Sequence, residues 1–269
     1  VALKGPCTTP IGKGFRSINV RLRKELQLFA SVRPVASLPG VKVPYQNVSL
    51  IVVRENTEGL YAGMEHYVVP GVVESLRLVT REAAERIVRY AFELARTQGR
   101  RKITVVHKAD VLPLSDGMFL ATARQVADDY PFLEFEDLPI DRVALELALE
   151  PSRFDVLVME NLFGDVMSAL CAGLVGGLGL VPGANIGARY ALFEAVHGSA
   201  PDIAGKGLAN PIALLRSAAM LLEHIGQREP ARRIEASVRA TLQAGSGLTR
   251  DLGGTGTTAT ITERLIANL

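Results

Sequence analysis

The chain has 269 residues, of which 48% are hydrophobic and 22% are charged. This is the composition of a folded globular protein and excludes a disordered one. Thirty basic and 28 acidic residues leave a net charge of +2 without a basic block, so neither nucleic acid nor an anionic membrane is a predicted partner. No apolar run approaches the roughly 18 residues of a membrane-spanning helix. The two cysteines, Cys7 and Cys171, form neither a disulfide framework nor a CxxC metal motif, which favours a reducing compartment.

Short runs rich in Val and Ile predict buried parallel strands at 49–54, 102–107 and 154–159. Between and after them, apolar residues at helical spacing predict helices at 17–30, 80–99, 115–130, 142–149, 210–226, 229–244 and 257–268. Two of these helices have clear start signals, Thr80 as an N-cap and Asn210 followed by Pro211. The alternation predicts an α/β fold with a mostly parallel, covered sheet. The glycine-rich stretch 173–187 is the best candidate for a change of domain.

The glycines do not form the fingerprint of a Rossmann dinucleotide fold. Gly12-Lys13-Gly14 and Gly176-Gly177-Leu178-Gly179 both lack the third glycine of GxGxxG, so both are predicted to be turns. A nucleotide that binds to this chain therefore binds to a different kind of site.

Several arginines lie where they can hold a small anion. Arg54 ends a predicted buried strand, at the carboxyl edge where open α/β sheets bind ligands. Ser17, Asn19 and Arg23 lie at the start of a predicted helix, which suits a carboxylate or a phosphate. Converging arginines predict a di- or tricarboxylate ligand, while solvation of a helix face by these side chains remains an equal alternative.

The carboxylates and Lys108 each allow two interpretations. Asp141 and Asp165 are either helix N-caps or ligands of a hard cation such as Mg²⁺. Lys108 follows a predicted strand and is either a base with a lowered pKa or a surface lysine. Taken alone, Tyr61 is more typical of a packed loop residue and His197 of a structural histidine.

Several segments in family order resemble the isocitrate dehydrogenase branch of the isocitrate/isopropylmalate dehydrogenases, which are β-decarboxylating enzymes. The similar segments cover nearly the whole chain and include Lys4-Gly5-Pro6-Cys7-Thr8-Thr9-Pro10, Arg16-Ser17-Ile18-Asn19-Val20-Arg21-Leu22-Arg23-Lys24, Val32-Arg33-Pro34, Arg54-Glu55-Asn56-Thr57-Glu58-Gly59-Leu60-Tyr61, Val106-His107-Lys108-Ala109, Asn161-Leu162-Phe163-Gly164-Asp165, His197-Gly198-Ser199-Ala200-Pro201 and Asp251-Leu252-Gly253-Gly254.

The resemblance implies a two-domain α/β fold with an inter-domain cleft that is not a classical Rossmann fold. It implies a discontinuous large, dinucleotide-binding domain (1–28 and 176–269), and a small domain (29–175) that carries dimerisation elements. It also implies that each active site of a homodimer borrows residues from the neighbouring subunit. Relatives begin earlier than this chain, with a further strand and turn, so we expect an N-terminal part to be missing.

The reaction that the resemblance implies is the NAD-dependent, metal-assisted oxidative decarboxylation of isocitrate, a tricarboxylate, to 2-oxoglutarate and CO₂, with Mg²⁺ or Mn²⁺ as the metal. The expected catalytic residues are Tyr61 and Lys108, the latter from the partner subunit. The expected substrate-binding residues are Ser17, Asn19, Arg23, Arg33 and Arg54. The expected metal ligands are Asp165 and the partner's Asp141. The residues expected to bind NAD are Thr8, His197, Gly198, Ser199, Ala200, Asp202, Ile203, Asn210 and Asp251.

Two alternatives to this function stay open. The family has a second carboxylate one turn after Asp165, where this chain has Ala169, and such losses are typical of regulatory subunits of heteromeric relatives. A homoisocitrate or 3-isopropylmalate dehydrogenase is the other alternative. Asp202-Ile203 stands where NADP-linked relatives have Lys-Tyr, which favours NAD. The expected location is the cytoplasm, or the mitochondrial matrix if the source is eukaryotic.

Overall fold

The computed structural model describes residues 1–8 and 17–269; Arg16 and the predicted turn at Gly12-Lys13-Gly14 lie outside the described residues. In chain order the strands are β1 (Ala2–Lys4), β2 (Ala30–Ala36), β3 (Ser49–Glu55), β4 (Gly59–Val69), β5 (Val72–Leu78), β6 (Lys102–His107), β7 (Glu134–Pro139), β8 (Val156–Met159), β9 (Pro182–Ile186) and β10 (Ala191–Ala195). The helices are α1 (Ile18–Glu25), α2 (Arg81–Thr97), α3 (Ser115–Ala127), α4 (Ile140–Leu149), α5 (Asn161–Leu174), α6 (Ile212–His224), α7 (Arg228–Ala244) and α8 (Thr258–Ala267).

One eight-stranded sheet runs through the molecule in the order β1-β10-β9-β2-β3-β8-β6-β7. The three predicted strands are confirmed as β3, β8 and β6, which are parallel neighbours. The sheet is more mixed than expected, because β2 runs antiparallel to both β3 and β9, and β9 runs antiparallel to β10. Strand β2 contains Pro34, which has no N–H for a ladder; its pairing with β9 ends at Val32, two residues earlier.

The sheet order separates the strands of the two predicted domains. Strands β1, β9 and β10 come from the predicted large domain, and β2, β3, β6, β7 and β8 from the predicted small one. The two groups meet where β2 pairs with β9 at Ala30–Val32. The division into 1–28 with 176–269 and 29–175 itself stays a prediction.

The predicted helices are all present, with corrected ends. Thr80 caps α2 as expected, since its hydroxyl accepts a hydrogen bond from Ala83 N at 3.2 Å. Asn210 Oδ1 accepts from Ile212 N at 3.0 Å at the start of α6. The prediction of a helix to residue 30 was wrong: α1 ends at Glu25, Gln27 takes a left-handed φ of 50°, and the chain enters β2 at Ala30.

The N-cap alternative for the two aspartates was also wrong. Glu160 is the N-cap of α5 and accepts from Phe163 N at 3.3 Å, so Asp165 lies one turn inside that helix. Asp141 lies in the first turn of α4, whose N-cap is Pro139. Neither aspartate is therefore the N-cap of its helix.

Strand alternation places two arginines on the face of the sheet that α5 covers. Val32 and Val53 belong to the core beneath α2, on one face. Arg33 lies opposite Val52, whose side chain packs with that of Met167 from α5, on the other face. Arg54 follows Val52 by two residues and lies on the same face.

Strands β4 and β5 form a hairpin apart from the main sheet. It carries a group of exposed apolar side chains: Met64, Tyr67, Val68, Val69, Val72, Val73, Leu76 and Leu78. Tyr67 is 76% exposed. Exposed apolar side chains grouped on one hairpin indicate an interaction site. Among the residues that the structure describes, none of the helices has the length and apolar character needed to cross a membrane.

Candidate active site

Asp165 lies at the centre of a group of functional side chains on the α5 face of the sheet. Its Oδ1 accepts hydrogen bonds from Arg54 Nη1 and, at 3.4 Å, from both terminal nitrogens of Arg33. Its Oδ2 accepts from the Tyr61 hydroxyl at 2.6 Å. The Arg54 guanidinium also lies 4.9 Å from the centroid of the Tyr61 ring. Three residues predicted to bind the substrate or to transfer a proton thus converge on the carboxylate of a predicted metal ligand.

One face of α5 orients the two arginines. Asn161, Asp165 and Ser168 follow each other at spacings of four and three residues and therefore lie on the same side of the helix. Asn161 Oδ1 accepts from Arg54 Nε at 3.0 Å and Nη2 at 2.7 Å, and Ser168 Oγ accepts from Arg33 Nη1. The sequence analysis gave Asn161 and Ser168 no role, although their helical spacing from Asp165 was a usable signal.

The electrostatics of the group follow from its burial. Burial lowers the pKa of Arg33 to about 10, and the charge of Arg54 adds to this effect. Burial favours a higher pKa for Asp165, but Arg54, the Tyr61 hydroxyl and Arg33 outweigh it and hold that pKa below its usual range. Burial and the hydrogen bond to Asp165 raise the pKa of Tyr61. Tyr61 therefore keeps its proton at neutral pH, as a proton donor requires.

A cavity of about 150 Å³ next to Arg33 contains the third predicted arginine. Arg23 and Asn19 line it from α1, and Arg23 Nη2 lies 3.5 Å from Glu194 Oε1. Both side chains have a buried polar atom, Arg23 Nε and Asn19 Oδ1, that has no hydrogen-bond partner in the described structure. The cavity thus has room and polar groups for an anionic ligand. Ser17 precedes α1 as its N-cap, with no side-chain capping bond.

Lys4 and Glu194 also line this cavity, and the sequence analysis missed both. Lys4 Nζ lies 2.6 Å from Glu194 Oε2, and Asn185 Nδ2 donates to Glu194 Oε1 at 2.8 Å. Burial opposes ionisation of Glu194, but the hydrogen bond and charge of Lys4 and the charge of Arg23 lower its pKa. Because these residues come from β1, β9 and β10, only the folded sheet brings them together.

Lys108 and Asp141 form a second group, separate from the contacts of Asp165. Lys108 Nζ donates to Asp141 Oδ1 at 2.8 Å and to Asp110 Oδ2 at 2.9 Å. These two hydrogen bonds raise the pKa of Lys108. The hydrogen bond between Lys108 and Asp141 also lowers the pKa of Asp141. The side chain of Lys108 is 25% exposed. Of the two interpretations of this residue, the base with a lowered pKa is contradicted for the single chain, because the amine is paired with two carboxylates.

A larger cavity of about 910 Å³ adjoins the first and shares Pro6, His197 and Gly198 with it. Seven of the nine residues expected to bind the dinucleotide line it: His197, Gly198, Ser199, Ala200, Ile203, Asn210 and Asp251. Thr8 contacts Ser199 through their hydroxyl oxygens, whereas Asp202 is exposed and outside the lining. A cavity of this volume, lined by small residues and a few polar groups, fits a large cofactor.

Across the described ranges 1–8 and 17–269, a single chain does not bring three metal-binding side chains together. Asp165 and Asp141, the two predicted ligands, lie in separate groups, and Ala169 is exposed one turn after Asp165. Both carboxylates are accessible, with 39% and 69% of their side-chain surface exposed. Carboxylate oxygens suit Mg²⁺ or Mn²⁺, and because the two aspartates share no contact within one chain, a site that uses both is expected to combine two chains.

Comparison with known proteins gives consistent matches along the chain. A family model described as isocitrate/isopropylmalate dehydrogenase matches residues 1–265. The mitochondrial NAD-dependent isocitrate dehydrogenase catalytic subunit 5 of Arabidopsis thaliana is 54% identical, over 100% of this chain and 72% of that protein. The mitochondrial NAD-dependent isocitrate dehydrogenase subunit alpha of Homo sapiens is 51% identical, over 98% of this chain and 73% of that protein.

A solved structure agrees with these matches. The crystal structure of isocitrate dehydrogenase from Methylococcus capsulatus superimposes with a TM-score of 0.96 at 51% sequence identity. The match covers 99% of this chain and 80% of that chain. The curated relatives and this solved structure are thus all longer than the chain described here.

Proposed function

Because this chain belongs to the isocitrate/isopropylmalate dehydrogenase family, we propose that it catalyses the NAD-dependent, metal-assisted oxidative decarboxylation of isocitrate to 2-oxoglutarate and CO₂. The observation that carries the proposal is the convergence of Arg33, Arg54 and Tyr61 on Asp165, beside the cavity that contains Arg23. Three guanidinium groups suit a substrate with three carboxylates.

The residues of the chain have distinct parts in this reaction. Arg23, Arg33 and Arg54 bind the substrate carboxylates, and Ser17 and Asn19 contact its distal end. Lys108 of the partner subunit takes the hydroxyl proton, directly or through water. In the single chain the hydrogen bonds to Asp141 and Asp110 raise the pKa of Lys108. Its ammonium must therefore first release a proton to solvent, and the loss of at least one of these carboxylate partners in the assembled site would ease that release. Tyr61, whose raised pKa keeps its hydroxyl protonated, then protonates the product carbon.

Two bound groups supply the remaining chemistry. A divalent cation held by Asp165 and the partner's Asp141 would polarise the substrate hydroxyl and carboxylate. NAD, bound in the 910 Å³ cavity, would accept the hydride. The names of the curated relatives support NAD, as does Asp202, whose charge would repel a 2′-phosphate.

We also propose that the chain acts as a homodimer with shared active sites. The separation of Asp141 and Lys108 from the contacts of Asp165 supports this, since neither group is sufficient alone. The exposed apolar hairpin β4–β5 supplies a surface for a second copy. The mitochondrial names of the relatives agree with the matrix location expected for a eukaryotic chain.

Ala169 favours a second candidate function, a catalytically weak regulatory subunit of a heteromeric enzyme. A helix position one turn after Asp165 that lacks a carboxylate leaves the cation with fewer anionic ligands. Against this candidate, Tyr61, Lys108, Asp141 and Asp165 are all present.

The test is an NADH-absorbance assay of the purified chain with isocitrate, homoisocitrate and 3-isopropylmalate. It compares NAD with NADP, with and without Mn²⁺. We expect Mn²⁺-dependent NADH formation with isocitrate. The absence of turnover by folded protein at millimolar Mn²⁺ would remove the proposal, and a preference for another 2-hydroxy acid would redirect it.

The variant Ala169→Asp separates a weakened enzyme from a regulatory subunit. An added carboxylate should lower the Mn²⁺ concentration needed for half-maximal activity by about tenfold, as one anionic ligand contributes to hard-cation affinity. If the parent chain is inactive alone but stimulates a second, catalytic subunit, the regulatory function is the correct one.

A further inference from the structure

Arg77 is a half-buried cation on the otherwise exposed strand β5. Every other residue of β5 is exposed, whereas only 15% of the Arg77 side-chain surface is accessible. Its guanidinium lies 5.4 Å from the centroid of the Phe163 ring in α5. None of the roles assigned above uses this residue.

The two terminal nitrogens of Arg77 reach two carboxylates on different elements. Arg77 Nη1 lies 2.6 Å from Asp116 Oδ1 in α3, and Nη2 lies 3.5 Å from Glu160 Oε1 at the start of α5. Both carboxylates are buried, with 3% and 8% of their side-chain surface exposed. Both contacts are ion pairs, and the hydrogen bond that Arg77 Nη1 donates goes to Ser115 Oγ at 3.4 Å. Because isolated buried carboxylates are costly, the charge of Arg77 stabilises both of them.

Each of these carboxylates positions a segment of the candidate active site. Asp116 Oδ2 accepts from the backbone N–H of Lys108 at 2.6 Å, and this fixes the start of the loop that carries the Lys108 amine. Glu160 caps α5 through Phe163 N, one turn before Asp165. A single arginine therefore connects the backbone of Lys108 with the helix of Asp165.

We propose that Arg77 is a positioning residue that couples these two segments. It keeps Lys108, which a chain gives to its partner, and Asp165, which the chain keeps, in fixed positions relative to each other. The coupling rests on the proposed function, in which Lys108 serves the partner's site and Asp165 serves its own. A shift of about 1 Å at a reacting group can lower a rate by about 100-fold.

The test compares Arg77→Met, Arg77→Lys and Asp116→Asn with wild type, in the full-length protein. An ammonium is a single point charge and holds one carboxylate rather than two. Asp116→Asn keeps an amide oxygen that accepts from Lys108 N–H but loses the ion pair. Arg81→Met, at an exposed arginine four residues further along, is the matched control.

We expect Arg77→Met to lower kcat with isocitrate by about 10- to 100-fold, with smaller losses for Arg77→Lys and Asp116→Asn. The KM for isocitrate should stay within about threefold, because the arginines that bind the substrate are unchanged. The deuterium isotope effect on kcat, with isocitrate deuterated at the carbinol carbon, should rise as the chemical step becomes slower. A purely structural loss reduces the active fraction and leaves this isotope effect unchanged.

A second measurement does not depend on activity. Hydrogen exchange should become faster at the amides of Lys108 and Phe163 in Arg77→Met, with α7 (Arg228–Ala244) unchanged. Normal exchange at both amides, or unchanged kcat and isotope effect in the variants that fold, would overturn the coupling. If wild type does not oxidise isocitrate, the proposed function fails and the exchange data alone decide the coupling.

Discussion

At the scale of single residues, Asp165 has two roles that compete with each other: it pairs with buried arginines, and in the proposed reaction it binds a cation. It balances the charges of Arg33 and Arg54, which are 7% and 1% exposed and have few other anionic contacts. In the proposed reaction the same arginines bind substrate carboxylates. A substrate carboxylate can therefore replace Asp165 as the partner of the two arginines while Asp165 binds a divalent cation. The charge of the group then stays balanced.

We expect Asp165→Asn to lower the free energy of unfolding at pH 7 by roughly 1–3 kcal/mol. Loss of one partner of a fully buried pair costs about 3–5 kcal/mol, and the 39% exposure of the Asp165 side chain reduces this. Because the folded-state pKa of Asp165 is lowered, its stabilisation is complete above the ordinary aspartate pKa of about 4 and is lost as pH falls through the folded-state value.

Urea unfolding of wild type and Asp165→Asn from pH 7 to pH 3 measures this difference. The difference between the two stabilities should shrink as pH falls below about 4, because the stabilisation from Asp165 is lost as pH falls toward its lowered folded-state pKa. A difference that stays constant over the whole range would show that the charge of Asp165 does not stabilise the arginines.

At the scale of elements, α5 packs unusually close to β3 at one glycine. A Cβ built at Gly164 would lie 2.5 Å from both Cβ and Cγ of Arg54, the part of that side chain least able to move. A methyl group there must push α5 away from β3. The same shift would separate Asn161 and Asp165 from the Arg54 guanidinium that they hold.

We therefore expect Gly164→Ala to lower the free energy of unfolding by about 1–3 kcal/mol and to raise the KM for isocitrate. Gly173→Ala is the control, because Gly173 lies in the same helix with no atom within 4 Å of the added Cβ. That control should be neutral or stabilising by up to about 1 kcal/mol. Equal urea midpoints for the two variants would contradict the close-packing explanation.

The elements found from sequence and those missed differ in how their neighbours stabilise them. Strands β3, β6 and β8 are buried on both faces and have continuous Val and Ile runs, so composition alone predicted them. Strand β9 has the sequence Pro-Gly-Ala-Asn-Ile, which is typical of a turn. Its extended form comes from pairing with β10 and β2 on its two sides. Tertiary context therefore overrides its local preference.

At the scale of the whole molecule, the sequence predicted residues that belong to known motifs better than residues whose roles depend on tertiary contacts. Arg33, Arg54, Tyr61 and Asp165 meet as the resemblance implied. Asn161, Ser168, Lys4 and Glu194 escaped prediction, because contacts across the sheet and along α5 define their roles. The separation of Lys108 from Asp165 within one chain agrees with shared sites. The subunit of origin of each residue in a site stays a prediction.

Hybrid dimers test that origin directly. Tyr61→Phe and Lys108→Met homodimers should each have kcat lowered by about 10²- to 10⁴-fold, the usual contribution of a proton-transfer group. If each site combines Tyr61 of one chain with Lys108 of the other, a mixed dimer has one intact site and one doubly defective site. Unfolding and refolding an equal mixture should then restore about a quarter of wild-type activity, since half of the dimers are mixed.

Sites built within a single chain predict no such recovery, because every chain in the mixture has one defect. The control is an equal mixture of Tyr61→Phe with Asp165→Asn, two residues that contact each other in the same chain. With the lysine intact in both chains, each mixed dimer still has one defect in each site, so this mixture should recover no activity. Recovery only in the mixture that contains Lys108→Met would assign the lysine to the partner subunit, and recovery in neither would show that each chain uses its own Lys108.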